Sequence, residues 1–250
     1  MQMRYAEIHF HLLPGIDDGP STMEESVALA AAAAAEGTRT IVTTPHVHAN
    51  FVTDPPALAD RVQGVRARLA AARIPIDVRC GGEIDLGMVE RLSDMQLEAI
   101  AHGPEGRRWV LLEAPLRGLG DDYTPRADEL RQRGFAVVVA HPERTFSRPE
   151  AAWRAIEHEL AAGSALQINA WSVAGLYGER VRSTAMALLG RAPRAVLASD
   201  AHGGERMPAL RLALDALAGA GVADPVRLVS SAPHELLERG LAVAPDAVAA

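Results

Sequence analysis

The sequence predicts an α/β fold in which parallel strands alternate with helices and close into a barrel. Two observations predict the α/β class: short apolar, β-branched runs alternate with longer segments of helical period, and there are seven such strand–helix units. A third observation favours a barrel. Six of the seven predicted strands have His, Asp or Glu at their C-terminal ends, within three residues of the last strand residue. Such side chains converge on one opening in a barrel, whereas an open sheet spreads them along an edge.

The strands are predicted from short runs rich in Val, Ile and Leu. The run at residues 135–140 is apolar throughout, which is typical of a parallel strand buried on both faces. No internal repeat and no linker-like stretch divides the units. The seven predicted strands are residues 5–10, 40–44, 76–80, 109–112, 135–140, 166–169 and 195–198.

The helices are predicted from their end signals as well as their period. Thr22 with Glu25 three residues later forms a capping box, and Gly37 ends the Ala-rich helix that follows. Thr124 is expected to cap a helix that has Pro125 at its first position. The other predicted helices are residues 55–73, about 88–92, 149–162, 179–189 and two segments within 207–240.

Length and composition indicate one folded domain. The chain has 250 residues, of which 48% are hydrophobic, so we expect a single domain over residues 1–250 with residues 241–250 as a frayed tail. No run approaches the roughly 20 apolar residues that a membrane span needs. The N-terminal segment reaches charged and His residues within ten positions and does not resemble a signal peptide.

The composition also excludes several functional classes. All 25 basic residues are Arg, so the chain lacks the lysine of a Walker A loop, a protein-kinase ATP site or a pyridoxal Schiff base. The net charge of −7 argues against a broad nucleic-acid-binding face. The single Cys80 excludes a disulfide framework, and Leu86 stands where a cysteine phosphatase would need Arg. We expect a reduced, cytoplasmic compartment and no nucleic-acid partner.

The residues at the strand ends predict a metal centre. His9 and His11 are two positions apart on one strand, so both rings face the same side, and Asp200 and His202 repeat this spacing. Glu83 and the other acids that follow apolar strands need a cation, because a buried carboxylate without a partner is costly. The candidate ligands are His9, His11, Asp18, His46, Glu83, Glu113, His141, Asp200 and His202.

The number and type of these ligands predict more than one ion. A catalytic ion takes roughly three protein ligands plus water, so nine candidates fit two or three divalent ions. Imidazole and carboxylate without thiolate suit manganese, which we expect, and also zinc or iron. Clustered divalent ions about 4 Å apart are typical of phosphoester hydrolases.

Three further residues are candidate catalytic groups. Arg144 follows His141 by three positions and Arg206 follows His202 by four, which places two guanidinium groups beside the predicted ligands. A guanidinium binds two phosphate oxygens at once, so we expect both arginines to bind a phosphoryl group. His48 is the candidate proton donor to the leaving group.

The ordered motifs HxH, PGIDDGP, TPH, GGEI, LLE, AHPER and SDAH, spread over residues 8–206, resemble the PHP superfamily. Within it, the chain resembles the capsular-polysaccharide tyrosine phosphatases of the CpsB/YwqE type. The resemblance implies a distorted seven-stranded (β/α)7 barrel with its active site at the C-terminal ends of the strands. It also implies a trinuclear metal centre and hydrolysis of phosphotyrosine on a bacterial tyrosine autokinase that regulates capsule or exopolysaccharide synthesis.

The resemblance implies how the ligands divide among the ions. Three residues would hold each ion, with Glu83 bridging the first ion and the second. The family usually has Asp immediately before the first motif, where this chain has Glu7, whose longer side chain we expect to orient a ligand imidazole. The implied sets are His9, His11 and Asp200; Glu83, Glu113 and His141; and Asp18, His46 and His202.

Three other functions remain open from the sequence. The same site would serve a small phosphoester such as histidinol phosphate or a nucleotide. A metal-dependent amidohydrolase shares the HxH motif, but that class often uses a carbamylated Lys, which this chain lacks. A structural metal domain without catalysis would bind its ions and turn over no phosphoester.

Overall fold

The computed structural model describes residues 4–120, 122–145 and 149–243. All strand pairings within these residues are parallel, which confirms the α/β class. The strands are β1 (Tyr5–Glu7), β2 (Thr38–Thr43), β3 (His46–Val47), β4 (Asp77–Cys80), β5 (Glu83–Ile84), β6 (Trp109–Glu113), β7 (Ala136–Ala140), β8 (Ala165–Asn169) and β9 (Ala195–Ala198).

Two of the predicted strands, residues 40–44 and 76–80, are each followed after a short break by a second strand of two residues. The break between β2 and β3 falls at Pro45, which has no backbone N–H to continue a ladder. The break between β4 and β5 falls at Gly81 and Gly82, where the chains approach closely: a Cβ atom on Gly81 would lie 2.6 Å from Cγ1 of Val42. Only glycine fits this approach without a shift of its neighbours.

The strands form two sheets, ordered β1-β2-β4 and β3-β5-β6-β7-β8-β9. The part of the chain that the structure describes therefore has no single closed ladder of seven strands. The first and last strands are nevertheless joined beyond their ends, because the Asp200 amide donates to the His9 carbonyl at 3.1 Å and the His11 amide donates to the Ala201 carbonyl at 2.9 Å. These bonds bring the residues after β1 and β9 side by side.

The first helix has the predicted ends. The Thr22 side chain accepts a hydrogen bond from the Glu25 amide, and Gly37 ends the helix with a φ of 115°. The capping role predicted for Thr124 is wrong, because the fourth helix begins one residue earlier at Tyr123, with Asp122 at the capping position. The helices are α1 (Met23–Glu36), α2 (Leu58–Ala71), α3 (Asp94–Glu98), α4 (Tyr123–Gln132), α5 (Pro149–Ala161), α6 (Ala170–Val173), α7 (Glu179–Arg191), α8 (Leu210–Gly219) and α9 (Ser231–Arg239).

The two faces of the strands bury separate apolar clusters. Along β6 and β7, alternate residues face a large cluster built with the surrounding helices, while the residues between them face a smaller one that includes α9. Trp109 lies in the smaller cluster, and its indole N–H donates to the Leu236 carbonyl at 2.8 Å. Helix α9 thus covers the strands at their N-terminal ends, and the opposite ends are left for the polar residues.

The C-terminal segment is more ordered than expected at its start. Leu241 is buried, and its amide donates to the Arg107 carbonyl at 3.0 Å. The remainder of the predicted tail, residues 244–250, lies outside the described residues. Within the described ranges, every helix is too short or too polar to cross a bilayer.

Candidate metal centre

The structure brings all nine predicted ligands into one cluster at the C-terminal ends of the strands. Eight of them fall into three overlapping groups whose ligand atoms lie within 4.8 Å of one another. His141 is the ninth, and its Nε2 atom lies 2.8 Å from Oε1 of Glu83. The groups are His9, His11, Glu83 and Asp200; His11, Asp18, His46 and His202; and His46, Glu83 and Glu113.

Glu83 lies at the centre of this cluster. Its buried Oε2 atom has no hydrogen bond of good geometry, although three imidazole nitrogens surround it. They are Nε2 of His9 at 3.1 Å, Nδ1 of His46 at 3.1 Å and Nε2 of His11 at 3.3 Å. A buried carboxylate oxygen without a hydrogen bond, surrounded by several imidazole nitrogens, fits a bound cation, so the residues present fit divalent metal ions.

Two side chains that are not ligands fix which ring nitrogens face the cluster. The Nδ1 atom of His9 lies 2.9 Å from Oε1 of Gln167, and Nδ1 of His11 lies 2.7 Å from Oδ2 of Asp17. Both oxygens are acceptors, so each Nδ1 carries the proton and each Nε2 is left as a lone-pair donor. The two Nε2 atoms lie only 3.3 Å apart, as expected of two ligands of one ion.

From the sequence, Asp17 is one of the carboxylates in the loop beside the first strand and Gln167 is a residue that could line the pocket or support a ligand, but the partner of neither residue is predicted. Asp17 was detectable as the neighbour of Asp18 in the loop after β1, but no pattern shows which of the two carboxylates faces inward. Gln167 is the third residue of β8, and the alternation of inward and outward side chains along the strand is the only sequence signal for its direction. Its partner His9 is 158 positions away.

Glu7 does not have the role expected of it. Its Oε2 atom accepts a hydrogen bond from the Ser199 amide at 2.8 Å, so it links β1 to the residue after β9 and orients no ligand imidazole. Burial raises the pKa of Glu7 to about 8, and hydrogen bonds from Ser199 only partly offset this effect. Strand alternation directs Glu7 and His9 to the same face, but Gln167 already occupies the Nδ1 side of His9.

The carboxylates of the cluster titrate far from one another. Burial, followed by the nearby charge of Glu83, raises the pKa of Glu113 to about 9. The pKa values of Glu83 and Asp200 lie well below the usual range. Burial alone would raise them, but the contacts with His9 and the other imidazoles lower them by more. Bound divalent ions would add positive charge at this point and favour the ionised form of Glu113, because a carboxyl group must lose its proton to be a ligand.

Two of the candidate ligands have a strained backbone. His141 has a φ of 34° and Asp200 a φ of 50°, in the left-handed region that residues other than glycine rarely adopt. Such conformations cost free energy and are characteristic of functional sites. They turn both side chains into the opening as the chain leaves β7 and β9.

The two predicted arginines meet at one carboxylate oxygen. Nη1 of Arg144 donates to Oδ2 of Asp200 at 3.0 Å, and Nη2 of Arg206 donates to the same atom at 2.8 Å. The other oxygen of Asp200, Oδ1, faces Nε2 of His9 at 3.3 Å. Asp200 therefore connects the imidazole cluster on one side with two guanidinium groups on the other.

His48 lies at the rim of the cluster and not within it. It is half-buried, and its ring lies 5.9 Å from the ring of Phe51. A cavity of about 290 Å³ opens beside it and borders the candidate ligands His46 and Glu113. The cavity is also lined by Phe51, Asp85, Pro115, Leu116 and Arg117.

Comparison with known proteins places this geometry in a family. Residues 5–238 match the family described as capsular polysaccharide synthesis, CpsB/CapC. The chain is 34% identical over 205 residues to the tyrosine-protein phosphatase YwqE of Bacillus subtilis, covering 78% of this chain and 76% of the relative. It is 28% identical over 221 residues to the tyrosine-protein phosphatase CpsB of Streptococcus pneumoniae, covering 85% of this chain and 89% of the relative.

Solved structures agree with this comparison. One, from work on YwqE of Bacillus subtilis and CpsB of Streptococcus pneumoniae as metal-dependent tyrosine phosphatases, superposes with a TM-score of 0.78 at 28% identity and covers 93% of both chains. A phosphotriesterase homology protein from Escherichia coli, with a TM-score of 0.60 at 14% identity over 94% of this chain and 98% of that one, shares the fold alone. The resemblance noted from the motifs is confirmed, and this chain belongs to the CpsB/CapC family of capsular polysaccharide synthesis.

Proposed function

We propose that this chain is a metal-dependent protein-tyrosine phosphatase. Its substrate would be a phosphotyrosine-containing protein, namely a bacterial tyrosine kinase of capsule or exopolysaccharide export, which it meets in the cytoplasm. One observation carries the proposal: nine imidazole and carboxylate side chains converge beside two arginines that share one carboxylate oxygen. The names of the relatives support the choice of phosphotyrosine over other phosphoesters.

The centre would hold two or three divalent ions, with manganese as the first choice and zinc or iron as alternatives. When bound, such ions lower the pKa of water and neutralise the charge on phosphoryl oxygens. We keep the division of ligands that the motifs imply. The position of Glu83 supports its role as a bridging ligand. Its Oε1 atom faces His141, and its Oε2 atom faces His9 and His46.

Arg144 and Arg206 would bind the phosphoryl oxygens of the substrate. In the structure their guanidinium groups are partly exposed and donate to Asp200, so each retains N–H groups for an anion at the opening. Burial alone would lower the pKa of Arg206, but Asp200 and then Tyr177 raise it, so it is charged at every pH of interest. Two fixed positive charges at the opening favour a dianionic phosphate monoester.

The rim cavity supports an aromatic leaving group. Phe51 and Leu116 are 46% and 56% exposed, which leaves apolar surface uncovered beside the candidate ligands. A tyrosine ring would lie against these side chains while its phosphate reaches the metal centre. A phenol leaves with little protonation because its pKa is about 10, and His48 at the same rim would donate the proton that is needed.

We also infer that the two parallel sheets form the distorted seven-stranded barrel of this family. The seven predicted strands would remain the units of the barrel, and β3 and β5 would continue two of them beyond the breaks at Pro45 and at Gly81 and Gly82. The hydrogen bonds between the residues after β1 and after β9 support this closure.

The experiment that tests the function compares substrates. Purified protein is supplied with manganese, and kcat/KM is measured for a phosphotyrosine peptide, the matching phosphoserine peptide, histidinol phosphate and a nucleoside monophosphate. We expect the phosphotyrosine peptide to have the highest kcat/KM, and chelation or His141→Ala to abolish turnover. A higher kcat/KM for histidinol phosphate or the nucleotide would replace the proposed substrate, and turnover that survives both treatments would contradict metal dependence.

A further inference from the structure

Two aromatic residues that follow β8 contact both arginine-bearing segments. Trp171 lies in the short helix α6, and Tyr177 lies in the turn between α6 and α7. Both side chains are half-buried, and their rings lie 5.9 Å apart with an angle of 36° between the planes. From the sequence, Trp171 is one of several residues that could line the pocket or support a ligand, and no motif marks Tyr177.

Tyr177 contacts the first arginine through its ring. The guanidinium carbon of Arg144 lies 4.7 Å from the centroid of the Tyr177 ring, which is a cation–π contact. The same guanidinium donates to Oδ2 of Asp200. Among the described residues, Tyr177 and Asp200 thus both contact the Arg144 guanidinium, and together they restrict its direction.

Trp171 holds the segment of the second arginine. Its indole N–H donates to the carbonyl of Met207 at 2.8 Å, and Met207 is the residue immediately after Arg206. Arg206 in turn donates to Oδ2 of Asp200 at 2.8 Å. The position of Trp171 is itself fixed, because its amide donates to Oδ1 of Asn169 at 2.9 Å.

The asparagine that fixes Trp171 belongs to the same network. The amide group of its side chain donates to Oδ2 of Asp200 at 3.0 Å, the oxygen that both arginines share. The segment from Asn169 to Tyr177 is therefore attached to Asp200, to Arg144 and to the backbone beside Arg206. Neither aromatic ring belongs to the imidazole cluster.

We propose that Trp171 and Tyr177 are positioning residues that hold Arg144 and Arg206 together so that both guanidinium groups bind one phosphoryl group. The inference rests on the proposed function, because it assumes that the two arginines bind phosphate. Two long side chains lose conformational freedom when they bind the same small anion. A pair that is already fixed loses less, so the aromatic residues contribute to phosphate affinity and not to metal binding.

The test uses the manganese-loaded protein and inorganic phosphate as the probe. Calorimetry gives the Kd of phosphate, and p-nitrophenyl phosphate gives KM and kcat. The variants are Tyr177→Leu, which removes the aromatic ring, Tyr177→Phe, which keeps it, and Trp171→Phe, which removes the indole donor. Leu176→Ala is the matched control, because Leu176 adjoins Tyr177 and its side chain is 50% exposed.

We expect Tyr177→Leu and Trp171→Phe each to raise Kd and KM together by roughly three- to tenfold, as loss of one cation–π contact or one hydrogen bond predicts. In both variants kcat stays within about twofold and the bound manganese is unchanged. Tyr177→Phe and Leu176→Ala behave like the wild type. Thermal unfolding of each variant shows whether it is folded. If Tyr177→Leu does not fold, the phosphate Kd of Trp171→Phe tests the proposal.

Three results would overturn the proposal. The first is a phosphate Kd that is unchanged in both Tyr177→Leu and Trp171→Phe. The second is a loss of manganese that parallels the loss of phosphate, which would make the aromatic pair part of the metal centre. The third is a wild-type protein that binds no phosphate. Failure of the proposed function is distinguishable, because a protein that binds phosphate without hydrolysing any aryl ester still reports on Tyr177 and Trp171.

Discussion

The Nδ1 atom of His9 lies 2.9 Å from Oε1 of Gln167, and this contact fixes which nitrogen of His9 faces the metal centre. The same oxygen accepts the His141 amide at 3.1 Å, so one side chain supports two candidate ligands. Oε1 of an amide is an acceptor only, so the His9 ring must present its Nε2 lone pair to the cluster. Supporting partners of this kind affect metal affinity strongly even though they touch no ion.

Gln167→Ala is therefore expected to weaken manganese binding about 10- to 100-fold. The nine ligands all remain, so the centre still fills at high manganese concentration and activity then recovers. Metal titration followed by calorimetry measures the shift. Gln63→Ala on the exposed face of α2 is the control and should leave the manganese affinity unchanged. Equal affinities for Gln167→Ala and wild type would show that His9 needs no fixed proton.

Removal of either arginine is expected to reduce kcat/KM for an aryl phosphate by roughly 10²- to 10³-fold, the usual effect of losing one donor to a developing charge. The variants are Arg144→Gln and Arg206→Gln, and steady-state kinetics at saturating manganese measures them. Arg61→Gln is the control, because Arg61 is exposed on α2 and forms no ion pair with any residue that the structure describes. A wild-type kcat/KM in both variants would remove the arginines from the phosphate site.

The convergence of ligands could be predicted from sequence because it depends on local patterns. A polar residue after an apolar strand, repeated strand after strand, leads to one opening in any parallel fold of this type. The ends of α1 could be predicted for the same reason, since Thr22 and Gly37 form their capping hydrogen bonds with residues three or four positions away. These features need no knowledge of which distant segments become neighbours.

The supporting contacts could not be predicted because they join residues far apart in the chain. Glu7 binds the Ser199 amide 192 positions away, and His9 contacts Gln167 158 positions away. The left-handed backbone of His141 and Asp200 is imposed by the surrounding fold against the local preference of both residues. The capping role predicted for Thr124 is wrong by a small displacement, since the end of a helix can shift by a residue or two when tertiary contacts compete with a cap.

Glu7 is expected to make stability depend on pH. Its pKa is about 8 in the folded state against 4.5 as the ordinary value, so the folded protein binds the proton more tightly than the unfolded chain. The contribution of Glu7 is fully present below about pH 4.5 and is lost as the pH rises towards about 8. Glu7→Gln removes this loss.

Relative to wild type, Glu7→Gln should therefore gain free energy of unfolding as the pH rises, by about 3 kcal/mol between pH 4.5 and 7. Urea unfolding of the chelated proteins across this range measures the difference, which excludes any effect of bound cations. Glu238→Gln at an exposed position of α9 is the control. A gap between Glu7→Gln and wild type that stays constant with pH would show that Glu7 is ionised in the fold.

Two glycines are expected to respond to alanine with opposite signs. Gly81→Ala places a Cβ atom 2.6 Å from Cγ1 of Val42 and 3.2 Å from the Thr43 carbonyl, so we expect a loss of about 1–3 kcal/mol in the free energy of unfolding. Gly64 lies inside α2 with no atom within 4 Å of an added Cβ, so Gly64→Ala should gain about 0.5–1 kcal/mol. Chemical denaturation measures both, and a stabilising Gly81→Ala would mean that the turn between β4 and β5 can move away from Val42 of β2 at little cost.

The central claim is that residues from both ends of the chain bind a cluster of divalent ions at one opening. Anomalous diffraction at the manganese edge, from crystals of the manganese-loaded protein, tests it most directly. We predict two or three anomalous peaks about 4 Å apart, each bonded to members of the group that includes His9, Glu83 and Asp200. A map with no peak at these side chains, or with its peaks elsewhere on the protein, would contradict the claim.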